Sequence, residues 1–155
     1  LMEDVFFSFT MGSEALSLAA AGAALDKIAR EPVTEKLSEL GKQLIDGLQH
    51  LIADHKVDHI FKVSGHPSWS FLITSDVDPY TSWDVRTLVQ PEMFARGILT
   101  LGTHNISYAH NPGDIDRLLT VYDAVLPLIG AAVADETLEK ELRCELLVPL
   151  FQIRN

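Results

Sequence analysis

Two histidines four residues apart are the first candidates for chemistry in this chain. His55 and His59 would share one face of a helix if the helix continued through them, and Asp54 and Asp58 lie beside them. This spacing occurs in zinc sites, which need at least three protein ligands. A third ligand is not evident, and the segment is leaving its helix at this point. We therefore predict no metal site.

The remaining histidines and the serines give no recognisable catalytic motif. His66 lies in a predicted turn at residues 65–67 and His104 in one at residues 102–105, and we expect both to be exposed loop residues. His110 precedes a helix cap and is expected to be a hydrogen-bonded structural residue. The run Gly12-Ser13-Glu14 lacks the G-x-S-x-G frame of a nucleophile elbow. Phosphate-loop and dinucleotide fingerprints are absent from the sequence.

A short apolar run meets a helix start near the amino-terminal end of the chain. Residues 5–10, VFFSFT, favour a strand, and a turn at residues 11–14 leads into an alanine-rich helix. A threonine hydroxyl and free amides before a helix attract anions, since the helix dipole is positive at this end. Thr10 precedes such a helix start. From the residues alone, we expect Thr10 to cap the helix or to end the strand.

The elements that must position these residues follow from hydrophobic periodicity. Helices are predicted at residues 15–28, with Ser13 as N-cap, and at 34–54, 83–95 and 115–134, the last capped by residues 111–114. Two strands separated by a turn are predicted within residues 59–75, and short strands at 98–101 and 106–110 flank a turn at 102–105. This order predicts an α+β fold: a small, largely antiparallel sheet with helices packed on one face. Trp69 and Trp83 are expected in a core or an interface rather than in a substrate channel.

Composition narrows the class of protein. The 155 residues carry 12 basic and 22 acidic side chains, a formal net charge of −10, which repels nucleic acid and anionic lipid. We therefore expect neither a nucleic-acid nor a membrane partner. Cys144 is the single cysteine, which suits a reducing, cytoplasmic location. The chain starts with Leu1 rather than Met, so we interpret the amino terminus as cut.

Two blocks of sequence resemble the class III aminotransferases, a family that includes the glutamate-1-semialdehyde aminomutases. Residues 6–21, FFSFTMGSEALSLAAA, look like the family's S-x-T-x-G-G-[NE]-x-L-x-x-A-A block. Residues 96–98 (RGI), 107–110 (SYAH) and 114–116 (DID) resemble its closing G-[IV] … A-H-x-x-x-D-[IL]-[DE] pattern. Ser13 departs from the first block, since the family usually has a glycine there. The likeness covers roughly residues 5–130 in the expected order.

The resemblance implies a fold type I enzyme that uses pyridoxal 5′-phosphate (PLP). It implies that the Phe9 amide and the Thr10 hydroxyl bind the phosphate of PLP in the other subunit of a homodimer. The substrates would be small amino and keto compounds, and the amino group would move through a Schiff base. Residues 1–14 would be left over from the large PLP domain, and residues 15–155 would be a helical linker and the small carboxy-terminal domain.

The same resemblance implies that this chain is inactive alone. The Schiff-base lysine of the family precedes the Thr10 block, whereas all six lysines of this chain follow it: Lys27, Lys36, Lys42, Lys56, Lys62 and Lys140. The alternative is a stand-alone α+β module that binds a partner or a small molecule without PLP. The sequence does not separate a transaminase from an aminomutase.

Overall fold

The computed structural model describes residues 14–148 of the chain. The chain divides into two compact units, residues 1–35 and residues 36–155, which are described separately. The predicted strand at residues 5–10 lies outside the described residues. The prediction of Ser13 as the N-cap of the first helix is wrong, because Glu14 caps that helix.

The described part of the first unit is dominated by one exposed helix. Helix α1 (Ala15–Arg30) has Glu14 as its N-cap, and the Glu14 carboxylate accepts hydrogen bonds from the Leu16 and Ser17 amides at 2.9 and 2.6 Å. None of the α1 residues is buried. The helix ends where Pro32 follows Glu31, because proline cannot continue the backbone hydrogen bonding. Helix α2 (Val33–Asp54) begins at the end of this unit and continues into the next.

The second unit contains a three-stranded antiparallel sheet. Strands β1 (Phe61–His66) and β2 (Trp69–Thr74) form a hairpin, and β3 (Thr103–Asn105) pairs with the other edge of β2. Side chains alternate along β2, so Ser70 and Leu72 are buried whereas Trp69 and Ile73 are exposed. One face of the sheet therefore belongs to the core and the other faces outward.

Three further helices complete this unit, and two of them begin with a capping box. Helix α3 (Ser82–Ala95) follows the pair Thr81 and Asp84, and helix α4 (Pro112–Ala134) follows the pair Asn111 and Asp114. In each pair the two side chains bond each other's backbone amides, which fixes the helix start. Helix α5 is short (Leu138–Glu141).

The core of the second unit is formed by one side of α2, the inner face of the sheet, α3 and α4. Its largest fully buried side chains are Tyr122, Phe61, Leu44, Leu48, Ile60, Leu88, Met93, Leu126, Ile129 and Leu138. Helix α4 is long and apolar enough to cross a membrane by length and composition alone. Its apolar residues include Tyr122, Leu126 and Ile129 of this core, which accounts for its composition without a membrane.

Helix α2 approaches the hairpin turn so closely that only glycine fits at the contact. A Cβ atom built on Gly41 would lie 1.7 Å from the carbonyl oxygen of Pro67. No side chain can occupy that space unless the backbone moves. Gly41 therefore sets the distance between α2 and the β1–β2 turn.

The structure confirms the α+β class, the hairpin and the main helices of the second unit, but it corrects the third strand. Strand β3 lies at residues 103–105, where the sequence predicted a turn, and the flanking residues 98–101 and 106–110 are not strands. The Leu72 amide donates to the Gly102 carbonyl at 2.8 Å, and the Ile106 amide donates to the Ser68 carbonyl at 3.1 Å. The pairing with β2 is therefore centred on His104. Because the side chain of His104 is polar, residues 103–105 lack the apolar alternation that would have predicted a strand.

Candidate functional site

A groove opens on the outer side of the second unit between strand β2, the start of helix α3 and the segment that leads into β3. Its cavity volume is about 400 Å³, which falls within the range of small-molecule sites, roughly 300–1,000 Å³. The residues that line it include Phe71, Ile73, Trp83, Arg86, Leu101 and Thr103. The groove thus combines aromatic and aliphatic walls with one cation.

Local structure explains why these side chains meet. Phe71 and Ile73 are on the outward face of β2 because the residue between them, Leu72, points into the core. Trp83 and Arg86 are three residues apart in α3, so they lie on one face of that helix. Leu101 is brought to the rim because Gly102 turns the backbone with a φ of +86°.

The guanidinium group of Arg86 is fixed in place but keeps most of its donors. Its Nη2 donates a hydrogen bond to the Leu101 carbonyl at 2.8 Å, and its Cζ lies 5.6 Å from the centroid of the Trp83 ring. Within residues 14–148, Arg86 forms no ion pair with an acidic side chain. The neighbouring acid on the helix, Asp84, accepts hydrogen bonds from Thr81 instead. Arginine has five N–H donors, so an anion in the groove would find several available.

A buried hydrogen-bonded network joins the inner face of the sheet to helix α4. The Ser70 Oγ lies 3.1 Å from His104 Nδ1, and His104 Nε2 lies 2.7 Å from the Tyr122 hydroxyl. A neutral imidazole has one donor and one acceptor, and the two hydroxyls satisfy both. The network therefore fixes β2 and β3 on α4 without leaving a buried polar atom unpaired.

Burial sets the protonation states of this network. Loss of solvation lowers the pKa of His104 to about 4, from 6.5, and raises the pKa of Tyr122. Both residues are neutral at neutral pH. Ser70 has no exposed surface, so no substrate reaches its hydroxyl in this state. Despite the serine–histidine contact, the network is structural.

The other histidines lie outside this network. His55 Nε2 lies 2.7 Å from an Asp123 carboxylate oxygen, and His59 is exposed. Among the described residues, no group of three or more histidine, cysteine or acidic side chains is placed to hold a metal. His66 is exposed, as predicted, but it is the last residue of strand β1 rather than a loop residue. His110 accepts a hydrogen bond from the Ser107 amide at 3.0 Å, which confirms its structural role.

The prediction for His104 is wrong. His104 is buried, with 5% of its surface exposed, because the polar network holds its side chain beneath the sheet, so it is not an exposed loop residue. Trp69 and Trp83 are 55% and 40% exposed, so neither is a core residue, and their place in an interface stays a prediction.

The predicted phosphate ligands, Phe9 and Thr10, lie outside the described residues. The described lysines offer no amine to the Arg86 groove, since none of them lines it. Lys27 pairs with Glu31 at 2.9 Å, and Lys36 donates to the Tyr108 carbonyl at 2.9 Å. An amine for Schiff-base chemistry is therefore not found in this groove.

Sequence reasoning missed the groove itself and Arg86. The i, i+3 spacing of Trp83 and Arg86 near a helix start was the available signal, because it places a cation beside an aromatic ring. It does not reveal which other elements lie across from that face.

The comparisons with known proteins give a fold. No family model and no curated protein matches the chain. A solved structure described as a transaminase with PLP bound matches 84% of this chain with a TM-score of 0.70 at 16% sequence identity. The PLP internal aldimine form of the FumI protein from Sphingopyxis sp. MTA144 matches 86% with a TM-score of 0.64 at 24% identity. This chain spans 31% of the length of each of those chains. The α+β fold described above is therefore the fold of a portion of these PLP-containing proteins.

Proposed function

We propose that this chain is the carboxy-terminal part of a PLP-dependent aminotransferase or aminomutase of class III. The observation that carries the proposal is the TM-score of 0.70 to a transaminase over 84% of the chain. The sequence blocks at residues 6–21 and 96–116 support the class, because they occur in the order found in that family. The share of 31% of the transaminase's length supports a partial chain. The proposed substrates are small amino and keto compounds.

PLP, when bound, supplies the electron sink that lets an amino group leave or join a substrate carbon. This chain would contribute the Phe9 amide and the Thr10 hydroxyl, which hold the phosphate of PLP in the partner subunit. Helix α1 begins a few residues later, at Ala15, and its amino-terminal end would favour the negative charge. The lysine that holds PLP would come from a domain upstream of Thr10.

The decisive experiment compares this chain with the product of its complete reading frame. We expect a longer product that binds PLP, and we expect borohydride reduction to attach PLP to a lysine upstream of Leu1, located by peptide mass. The 155-residue chain, treated identically, should remain unlabelled and should transfer no amino group. A reading frame that encodes only these residues, or labelling of one of the six lysines here, would refute the proposal.

A transaminase and an aminomutase are separated by the fate of the amino group. With the complete protein and an isotopically labelled amino substrate, a transaminase delivers the label to a second keto compound. An aminomutase returns it to another carbon of the same molecule. We expect a cytoplasmic homodimer in either case, and sedimentation of the complete protein measures the dimer.

The second candidate is a stand-alone module that binds a small molecule without PLP. The observation that favours it is the groove around Arg86, because all its walls come from residues 71–103. The two candidates differ in the reading frame and in reaction with borohydride, as described above.

A further inference from the structure

We propose that the groove between β2, α3 and the segment before β3 binds a small apolar carboxylic acid in its ionised form. Arg86 would hold the carboxylate, and Phe71, Trp83 and Leu101 would cover the hydrocarbon part. The inference depends on the described residues alone and does not require the proposed PLP function.

Arg86 supplies the positive charge that would hold a carboxylate. Its guanidinium is half-buried and has no acidic partner within residues 14–148, although the whole chain carries a net charge of −10. A planar guanidinium matches a carboxylate, which accepts two parallel hydrogen bonds from it. Arg86 is the one cationic residue among those that line the groove. One positive charge suits a ligand with one negative charge better than a phosphate monoester with two, because the net negative charge of the chain opposes each added negative charge.

The apolar walls of the groove would cover the hydrocarbon part of the ligand. Leu101, Ile73 and Trp83 are 60%, 44% and 40% exposed around the groove, beside the buried Val89. When a ligand covers exposed apolar side chains in a concave site, apolar surface is removed from water, and this stabilises the complex. A ring with a short side chain fills such a space. The carboxylate at one end and the apolar walls at the other then give the ligand one orientation.

Two contacts hold Arg86 in position. The hydrogen bond from its Nη2 to the Leu101 carbonyl joins the cation to the segment that forms the opposite rim. The ring of Trp83 lies against the same guanidinium at 5.6 Å. Because both contacts exist before any ligand arrives, little side-chain entropy is lost on binding.

The test uses the complete chain without added PLP, labelled with 5-fluorotryptophan and followed by ¹⁹F NMR. Trp83→Phe assigns the Trp83 signal, and the remaining signal belongs to Trp69, which does not line this groove but contacts Phe71. The probe is phenylacetate, and phenylacetamide is its uncharged counterpart. We expect phenylacetate to shift the Trp83 signal saturably. Phenylacetamide should bind at least about tenfold more weakly, because it cannot form a hydrogen bond between two charged groups.

Variants separate the role of the charge from the shape of the groove. Arg86→Met should weaken phenylacetate binding about tenfold or more while leaving the weak binding of phenylacetamide unchanged. Arg117→Met makes the same chemical change on the exposed side of α4 and should change neither. Loss of both ligands in Arg86→Met would mean that Arg86 only shapes the groove, and the proposal would be overturned. Equal binding of the two ligands to the unmodified chain, or no saturable shift, would overturn it as well.

Discussion

His104 on strand β3 and Tyr122 on helix α4 are joined by a hydrogen bond of 2.7 Å between His104 Nε2 and the Tyr122 hydroxyl. Neither residue is near the other in sequence, and both are buried. The second ring nitrogen of His104 lies 3.1 Å from the Ser70 hydroxyl on β2. One imidazole thus connects two strands and one helix, and its contacts define the inner layer beneath the sheet.

Removal of the Tyr122 hydroxyl should weaken the fold through this connection. Tyr122→Phe keeps the ring but leaves a buried nitrogen of His104 without a partner, which costs about 1–3 kcal/mol. We expect a lower free energy of unfolding by that amount in urea titrations. Tyr80→Phe is the matched control, because the Tyr80 ring is also buried while its hydroxyl makes no hydrogen bond within residues 14–148. Equal effects of the two substitutions would show that the hydroxyl of Tyr122 contributes nothing.

The depressed pKa of His104 predicts how stability depends on pH. The folded value is about 4 and the unfolded value is 6.5, so between these two pH values the unfolded chain binds a proton that the folded chain excludes. Acidification in this window therefore favours unfolding, by about 1.4 kcal/mol per pH unit for one such group. Above pH 6.5 both states are neutral at His104, and its contribution is constant.

The variant His104→Gln isolates this effect, since glutamine does not titrate. We expect the free energy of unfolding of the unmodified chain to fall more steeply with acid than that of His104→Gln, over the window from pH 6.5 to about 4. The acidic residues titrate in both proteins, so the difference of the two slopes belongs to His104. Parallel slopes would mean that His104 takes up its proton without unfolding.

The helices were predictable because their signals are local. Apolar residues that recur at helical spacing predicted α2 and α4. The capping pair Asn111 and Asp114 marks the start of α4 within four residues. The hairpin was predictable for the same reason, since two apolar runs flank a glycine and a proline. Each of these signals needs only residues that are close together in the chain.

The third strand and the groove were not predictable, because both depend on distant residues. Strand β3 is three residues long, and the inward position at its centre is His104, which is stable there only because Ser70 and Tyr122 bond it. A hydrophobic pattern has no means of recognising such a polar core residue. The groove likewise requires β2, α3 and the segment before β3 to meet, and the spacing of Trp83 and Arg86 specifies only one of its walls.

The close approach of α2 to the hairpin turn gives a prediction with opposite signs at two glycines. Gly41→Ala places a methyl group where the Pro67 carbonyl lies, and we expect destabilisation of about 1–3 kcal/mol or more because backbone must move. Gly22→Ala, in the middle of α1, meets nothing within 4 Å. Alanine should strengthen that helix by up to about 1 kcal/mol. Thermal unfolding followed by circular dichroism measures both, and a tolerated Gly41→Ala would contradict the close contact.

The proposed cofactor contact gives the last prediction, to be made on the complete protein. Thr10→Ala removes the hydroxyl proposed to bind the phosphate, and we expect PLP affinity to fall about tenfold, as for a hydrogen bond to a charged group. Thr10→Ser keeps the hydroxyl and should retain most of the affinity. PLP titration followed by absorbance measures all three proteins. Equal affinities would show that the Thr10 hydroxyl does not hold the phosphate of PLP.

The position of Thr10 in the partner's site can be tested with mixed dimers. One subunit carries Thr10→Ala, and the other carries an alanine in place of the upstream lysine. If Thr10 reaches across the dimer, the mixed dimer has one complete site, made from the lysine of the first subunit and the threonine of the second. At a PLP concentration that fills the unmodified site but not the Thr10→Ala site, PLP binding and amino-group transfer should then return to about half the level of the unmodified dimer, since one of two sites is restored. If Thr10 acted within its own subunit, neither site would be complete, and mixing would restore nothing.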